Sequence, residues 1–156
     1  MIRAWRIVKS RYAAHAFDGE GARLYGSRWN SPGIRIIHTS ETLSLAVLEI
    51  LAHLQSAVPL PHYLAFPVQF EASSIERVVL DVLPPDWRQS PPSSAVQQIG
   101  DLWVRRASAA VLRVPSVLIP HESNYLLNPA HPDFARIQLG APVPLDIDPR
   151  VLGRAE

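Results

Sequence analysis

The chain has 156 residues, carries 15 basic and 14 acidic side chains for a net charge of +1, and contains no cysteine. Its length suits one domain, 1–156, with a core expected from about 5 to 146 and a frayed C-terminus. The near-neutral balance offers no field for bulk binding to nucleic acid or acidic membranes, and the lack of cysteine excludes disulfides, thiolate metal sites and cysteine nucleophiles.

Residues 3–9, RAWRIVK, have the β-branched and aromatic character of a first strand. Polar, glycine-containing sequence follows to residue 24, then the turn-rich stretch YGSRWNSPG at 25–33. GIRIIHTS at 33–40 reads as a short strand, with Thr39 or Ser40 available to cap the helix that ETLSLAVLEILAHLQ predicts over 41–55. Strands are expected at 62–70 and 75–83, an irregular proline-paired connection at 84–94, and a second helix over 95–112 that Pro115 forbids from continuing. VPSVLIP at 114–120 reads as an apolar strand, 122–134 as a loop without period, and FARIQLG and PVPLDI as closing strands. Short strands with few intervening helices predict an α+β domain with a mixed, largely antiparallel sheet, since regular βαβ alternation is missing.

No apolar run is long enough to cross a bilayer and the N-terminus has no secretory pattern, so a cytoplasmic protein without membrane contact is expected. Lys9 is the only lysine; every other basic side chain is arginine, which favours planar bidentate anion contacts. No histidine or acidic spacing forms a metal motif, and no metal is expected.

Three positions stand out chemically. Arg28 lies between Tyr25 and Trp29 in a turn whose geometry does not need it, so it is either a solvated charge or an anion clamp. In the first helix the 100° period puts Leu43, Val47, Ile50 and Leu54 on a core stripe, yet Leu45, Leu48 and Ala52 make the other side apolar as well. The remaining polar groups are Glu49 and His53, one turn apart beside the small Ala46. They are an i,i+4 pair at the core edge, or Glu49 is a general base or cation stabiliser facing a ligand. Ser116 sits alone in an apolar segment, where it bonds backbone or serves a site. Asn124, Asn128 and His131 fall in the expected loop.

Taken in order, YGSRWNSPG, IIHTSETLSLAVLEILAHL and RVPSVLIPHESNYLLNPAHPDF resemble the RES domain, named for an arginine, a glutamate and a serine and found as the toxin of bacterial toxin–antitoxin pairs. The resemblance spans Trp5 to about residue 146 and matches the three family residues to Arg28, Glu49 and Ser116. It implies a fold similar to ADP-ribosyltransferases and NAD+ as the substrate, without a metal. It also implies that Glu49 stabilises the oxocarbenium-like state formed when the nicotinamide–ribose bond breaks, that Arg28 clamps phosphate, and that Ser116 contacts the ribose or carboxamide. Arg6, His38, His53 and Asn124 are the implied further NAD+ contacts. His38 stands where the family commonly has tyrosine, so a charge near neutral pH is an expected difference. The acceptor is left open among water, phosphate and a protein side chain. The implied partner is an antitoxin with a helix-turn-helix domain, and the rival reading is an inactive protein-binding module.

Overall fold

The computed structural model describes residues 1–54 and 62–152. Its regular elements are β1 (Ile2–Lys9), α1 (Glu20–Tyr25), β2 (Ile37–Ser40), α2 (Leu43–Leu51), β3 (Tyr63–Phe70), β4 (Ile75–Arg77), α3 (Ser94–Arg106), β5 (Val111–Pro115), β6 (Ser123–Leu127), β7 (Gln138–Leu139) and β8 (Val143–Leu145). The strands form one sheet in the order β4-β5-β6-β2-β1-β3-β7, with β8 also paired to β3. Among the described strands only β4 and β5 pair in parallel, so the sheet is mixed and largely antiparallel and the class is α+β.

Both faces of the sheet are covered, which explains why its central strands do not alternate cleanly. Val111, Tyr125 and Leu127 join Ala4, Ile37 and Phe70 on one face, while Leu112, Val114 and Leu126 meet Trp29, Ile36, Val96 and Trp103 on the other. The second cluster is closed by α3, whose N-cap Ser93 accepts from the Val96 amide and whose C-cap Ala107 adopts the left-handed conformation. Gly100 lets α3 lie directly on the backbone of residue 29: a Cβ there would stand 1.8 Å from the Trp29 carbonyl oxygen.

Several elements differ from expectation. The second helix stops at Arg106 rather than 112, and residues 111–115 are strand β5, because an alanine rather than a glycine makes the left-handed cap and leaves no visible stop signal. The strand read at 114–120 therefore ends at Pro115. The loop read at 122–134 contains the central strand β6, and Asn124 belongs to it. The strand at 75–83 is cut to Ile75–Arg77, leaving Val79, Leu80 and Val82 exposed. Only Ile37–Ser40 of 33–40 is strand, and the polar stretch before 25 includes α1. The cap of α2 is Thr42, which accepts from the Leu45 amide, not Thr39 or Ser40. The helix expected over 41–55 runs only from Leu43 to Leu51, with its C-cap at Ala52, while residue 55 and the expected frayed residues 153–156 lie outside the described residues.

The buried face of α2 is also not the expected stripe: Leu45 and Ala46 are buried, while Leu43, Val47 and Ile50 are only partly so. α2 packs on β1 and β2, and residues 45, 46 and 49 share one helical face. The face turned to the sheet is thus the one that carries Glu49.

Candidate functional site

β1 pairs with β3 along its whole length, but with β2 through the single pair Trp5 and Ser40. Beyond that pair the two strands part, and Arg6 reaches into the gap, donating from Nε to the Ala16 carbonyl and from Nη1 to the His38 carbonyl at 3.0 Å. A side chain replaces the missing backbone ladder. The opening is a cavity of about 970 Å³, walled by Trp5 to Lys9, His38 to Ser40, Ala46, Glu49 and Asn124, with Tyr12, Leu24, Tyr25 and His53 among its other lining residues. Its size is in the range of small-molecule and cofactor sites.

Glu49 is fixed on the wall by two donors to one oxygen. Ser116 Oγ donates to Oε1 at 2.9 Å and Asn124 Nδ2 donates to the same atom at 2.8 Å. The Asn124 amide is oriented in turn by Ser40 Oγ, which donates to Oδ1 at 2.7 Å. Oε2 has no partner among the described residues. Ser116 is fully buried and outside the cavity lining, and its oxygen also accepts from the amides of Leu118 and Ile119. The expected contact between Ser116 and a ligand is therefore replaced by a contact to Glu49: its hydroxyl has no open side.

The loop that carries Arg28 is a rigid platform. Trp29 and Asn30 are buried, and Asn30 Nδ2 faces the carbonyls of Ala22, Ser31 and Ile34 at 3.0, 3.1 and 3.1 Å. Asp101 of α3 receives the Ser31 amide at 2.9 Å, and Gln97 donates to the Ser27 carbonyl at 3.0 Å. Arg28 itself is half-buried and does not line the cavity. Its Nη1 donates to the carbonyls of Trp87 and Gln89 at 2.9 and 2.7 Å, pinning the 84–94 connection. Burial lowers its pKa from the ordinary arginine value, while the charge of Glu49 acts in the opposite sense.

Arg6 is the arginine that lines the cavity. Burial lowers its pKa to about 10, partly opposed by Asp18, so it stays cationic at neutral pH. Beside it His38, which is half-buried, is pushed down to about 4 by burial and then by Arg6. That shift disfavours the charge near neutral pH expected for this histidine. His38 Nε2 lies 3.1 Å from Ser27 Oγ.

The structure thus brings together Arg6, His38, Glu49, His53 and Asn124 as cavity lining, holds Ser116 behind Glu49, and sets Arg28 to one side. His53 is exposed and makes no ion pair with Glu49. Sequence reasoning did not identify Ser27 or Ser40, since a serine in a turn or a strand carries no signal of its own. Among the described residues no cluster of three or more His, Asp or Glu could hold a metal ion.

A family model described as the RES domain matches residues 3–148. A protein named Toxin Res from Yersinia enterocolitica is 37% identical over 148 residues, covering 94% of this chain and 97% of its own. A protein named Prs ADP-ribosylating toxin from a Sphingobium species is 35% identical over 159 residues, covering 97% of each. Among solved structures, a chain of the M. tuberculosis MbcT–MbcA toxin–antitoxin complex superposes with a TM-score of 0.76 at 18% identity, covering 99% of this chain and 89% of that one.

Proposed function

This chain belongs to the RES domain family, and on that premise we propose that it is the toxin of a toxin–antitoxin pair and cleaves the nicotinamide–ribose bond of NAD+. The observation that carries this reading is the Glu49 carboxylate, held through Oε1 by Ser116 and Asn124 on the wall of a cavity of about 970 Å³ that Arg6 also lines. In the reaction the C1′–N bond breaks and its electron pair goes to the nicotinamide nitrogen. Positive charge develops on the ribose, and a fixed carboxylate stabilises it without having to reorganise. An acceptor oxygen then bonds C1′, and the proton it carries passes to Glu49 Oε2 or to solvent water. Ser116 and Asn124 keep Glu49 in place, and Arg6 offers its remaining nitrogen to the pyrophosphate. Arg28 spends only Nη1 on Trp87 and Gln89, so Nε and Nη2 would be its donors to the same anion.

Water or phosphate as acceptor gives NAD+ depletion, which is the preferred reading. Transfer of ADP-ribose to a protein is the second reading, supported by the name of the Sphingobium relative. The partner proposed is an antitoxin with a helix-turn-helix domain; the solved neighbour, itself part of a toxin–antitoxin complex, is consistent with an antitoxin partner. The proposed location is the cytoplasm, and no helix among the described residues is long and apolar enough to cross a membrane.

Proton NMR of NAD+ incubated with the protein, with and without inorganic phosphate, tests these readings against Glu49→Gln. Nicotinamide released only by the wild type supports NAD+ cleavage, and phosphate dependence identifies a phosphorylase. Labelling of a lysate protein from NAD+ without bulk release favours transfer. Neither result leaves only the inactive binding module.

A further inference from the structure

The hydrogens around Ser27 can be counted. Asn30 turns its Nδ2 to three carbonyl oxygens, so the amide cannot be reversed without setting oxygen against oxygen, and Oδ1 must face Ser27. The Ser27 hydroxyl has one hydrogen, and the Asn30 oxygen takes it. What remains on Oγ are lone pairs, one of which accepts from the Trp29 amide at 3.3 Å. The other faces His38 Nε2 at 3.1 Å, and a bond there requires the hydrogen to sit on the histidine.

We propose that Asn30 and Ser27 lock His38 as the tautomer protonated on Nε2, so that the ring offers the cavity only Nδ1, an acceptor, and bonds a ligand there through a hydroxyl of that ligand. Ser27 and Asn30 are positioning residues in this scheme, and His38 is the specificity-determining contact. Nδ1 has no partner among the described residues, and His38 is part of the cavity lining. Burial beside Arg6 keeps a second proton off the ring, in agreement with an acceptor at neutral pH. A ligand group that can only accept, such as a carbonyl or a phosphate oxygen, gains nothing at this position. The identity of the hydroxyl rests on the NAD+ reading, in which the riboses supply it; the tautomer does not.

Long-range proton–nitrogen NMR of the uniformly labelled protein reads the protonation of all six histidines, and the loss of one set in His38→Gln assigns His38. At neutral pH the expected ring is neutral with its hydrogen on Nε2. A hydrogen on Nδ1, an average of two tautomers, or a cationic ring overturns the lock. Ser27→Ala is expected to give a mixture of tautomers and to lower kcat/KM about tenfold, the lower end of what loss of an orienting bond does. Ser27→Thr, which keeps the hydroxyl, is expected to retain the wild-type ring. Wild-type ring shifts in a folded Ser27→Ala protein also overturn the lock. Adding NAD+ to Glu49→Gln, where turnover is expected to be slowest, should shift Nδ1 and leave Nε2 in place. If amides around Arg6 and Tyr63 move while Nδ1 does not, the acceptor role is wrong and the NAD+ reading survives. If no cavity resonance moves, the NAD+ reading fails, while the tautomer is decided by the free protein.

Discussion

Ser116 and Glu49, 67 residues apart in sequence, meet through a 2.9 Å hydrogen bond whose donor no solvent reaches. The serine also receives two backbone amides of the turn that follows it. Ser116→Ala should therefore act twice. Stability should fall by about 1–3 kcal/mol, because two part-buried amides lose their acceptor and Glu49 loses a donor, and nicotinamide release should fall mainly in kcat, because Glu49 is left with one orienting donor. Urea unfolding and steady-state kinetics read the two effects separately. A fall confined to KM would place the serine against the substrate instead.

Glu49→Gln keeps an oxygen that can accept from Ser116 and Asn124, so the fold should persist. Removing the charge should cost about 10²-fold or more in kcat, the usual loss of a fixed group facing a developing charge. Wild-type turnover in this variant would refute the assignment of Glu49.

Arg28→Ala removes both bonds to the 84–94 connection and should destabilise the protein by about 2 kcal/mol. Amide exchange in that connection should rise more than in α3. Arg6→Ala is expected to weaken NAD+ binding more strongly than Arg28→Ala, since Arg6 alone of the two lines the cavity. Binding isotherms on the Glu49→Gln background, where turnover is expected to be slowest, check the order.

His38 gives a pH signature with a definite sign. Its pKa falls from 6.5 to about 4 on folding, so between those values the unfolded chain holds a proton that the folded one does not. Stability should then decline by about 3 kcal/mol as pH drops from 6.5 to 4, and His38 should add nothing further below that. Glu20, held below its ordinary value chiefly by Arg23, acts in a lower window, as pH falls through the acidic range. His38→Gln should flatten the upper window in urea unfolding and leave the lower one unchanged.

Gly100→Ala tests the seat of the Arg28 loop. The new methyl would overlap the Trp29 carbonyl, and relief requires α3 or the loop to move, at about 3 kcal/mol. A melting temperature equal to wild type would show that the loop is softer than its hydrogen bonds indicate.

Much of this architecture was legible in the sequence. β1 and β3 announce themselves by residue type, and α2 by its apolar run of helix formers, though its cap and its ends were not legible. The resemblance to the family singled out Arg28, Glu49 and Ser116, but only the fold separates their tasks. β6 was missed for a physical reason: it is a central strand, and its polar residues Ser123 and Asn124 are held by Arg113, Glu49 and Ser40, so the polar positions that looked like loop belong to the site. β5 was absorbed into the preceding helix because Ala107 takes a left-handed cap that usually advertises itself as glycine. Ser27 offered nothing to read, since its importance lies in where one hydrogen goes.

The parting of β1 from β2 has a thermodynamic corollary. Arg6 joins the two strands through the His38 carbonyl and is also the arginine of the cavity lining. One guanidinium therefore enters two equilibria, the closure of the sheet and the capture of an anion. By reciprocity, an anion that holds Arg6 better when the strands are close will draw them together, and whatever tightens the strands will strengthen the anion's hold by the same factor. Affinity at the cleft and stiffness of the sheet are then not separate properties of this protein, and a substitution far along β1 can change what the cavity binds without touching it.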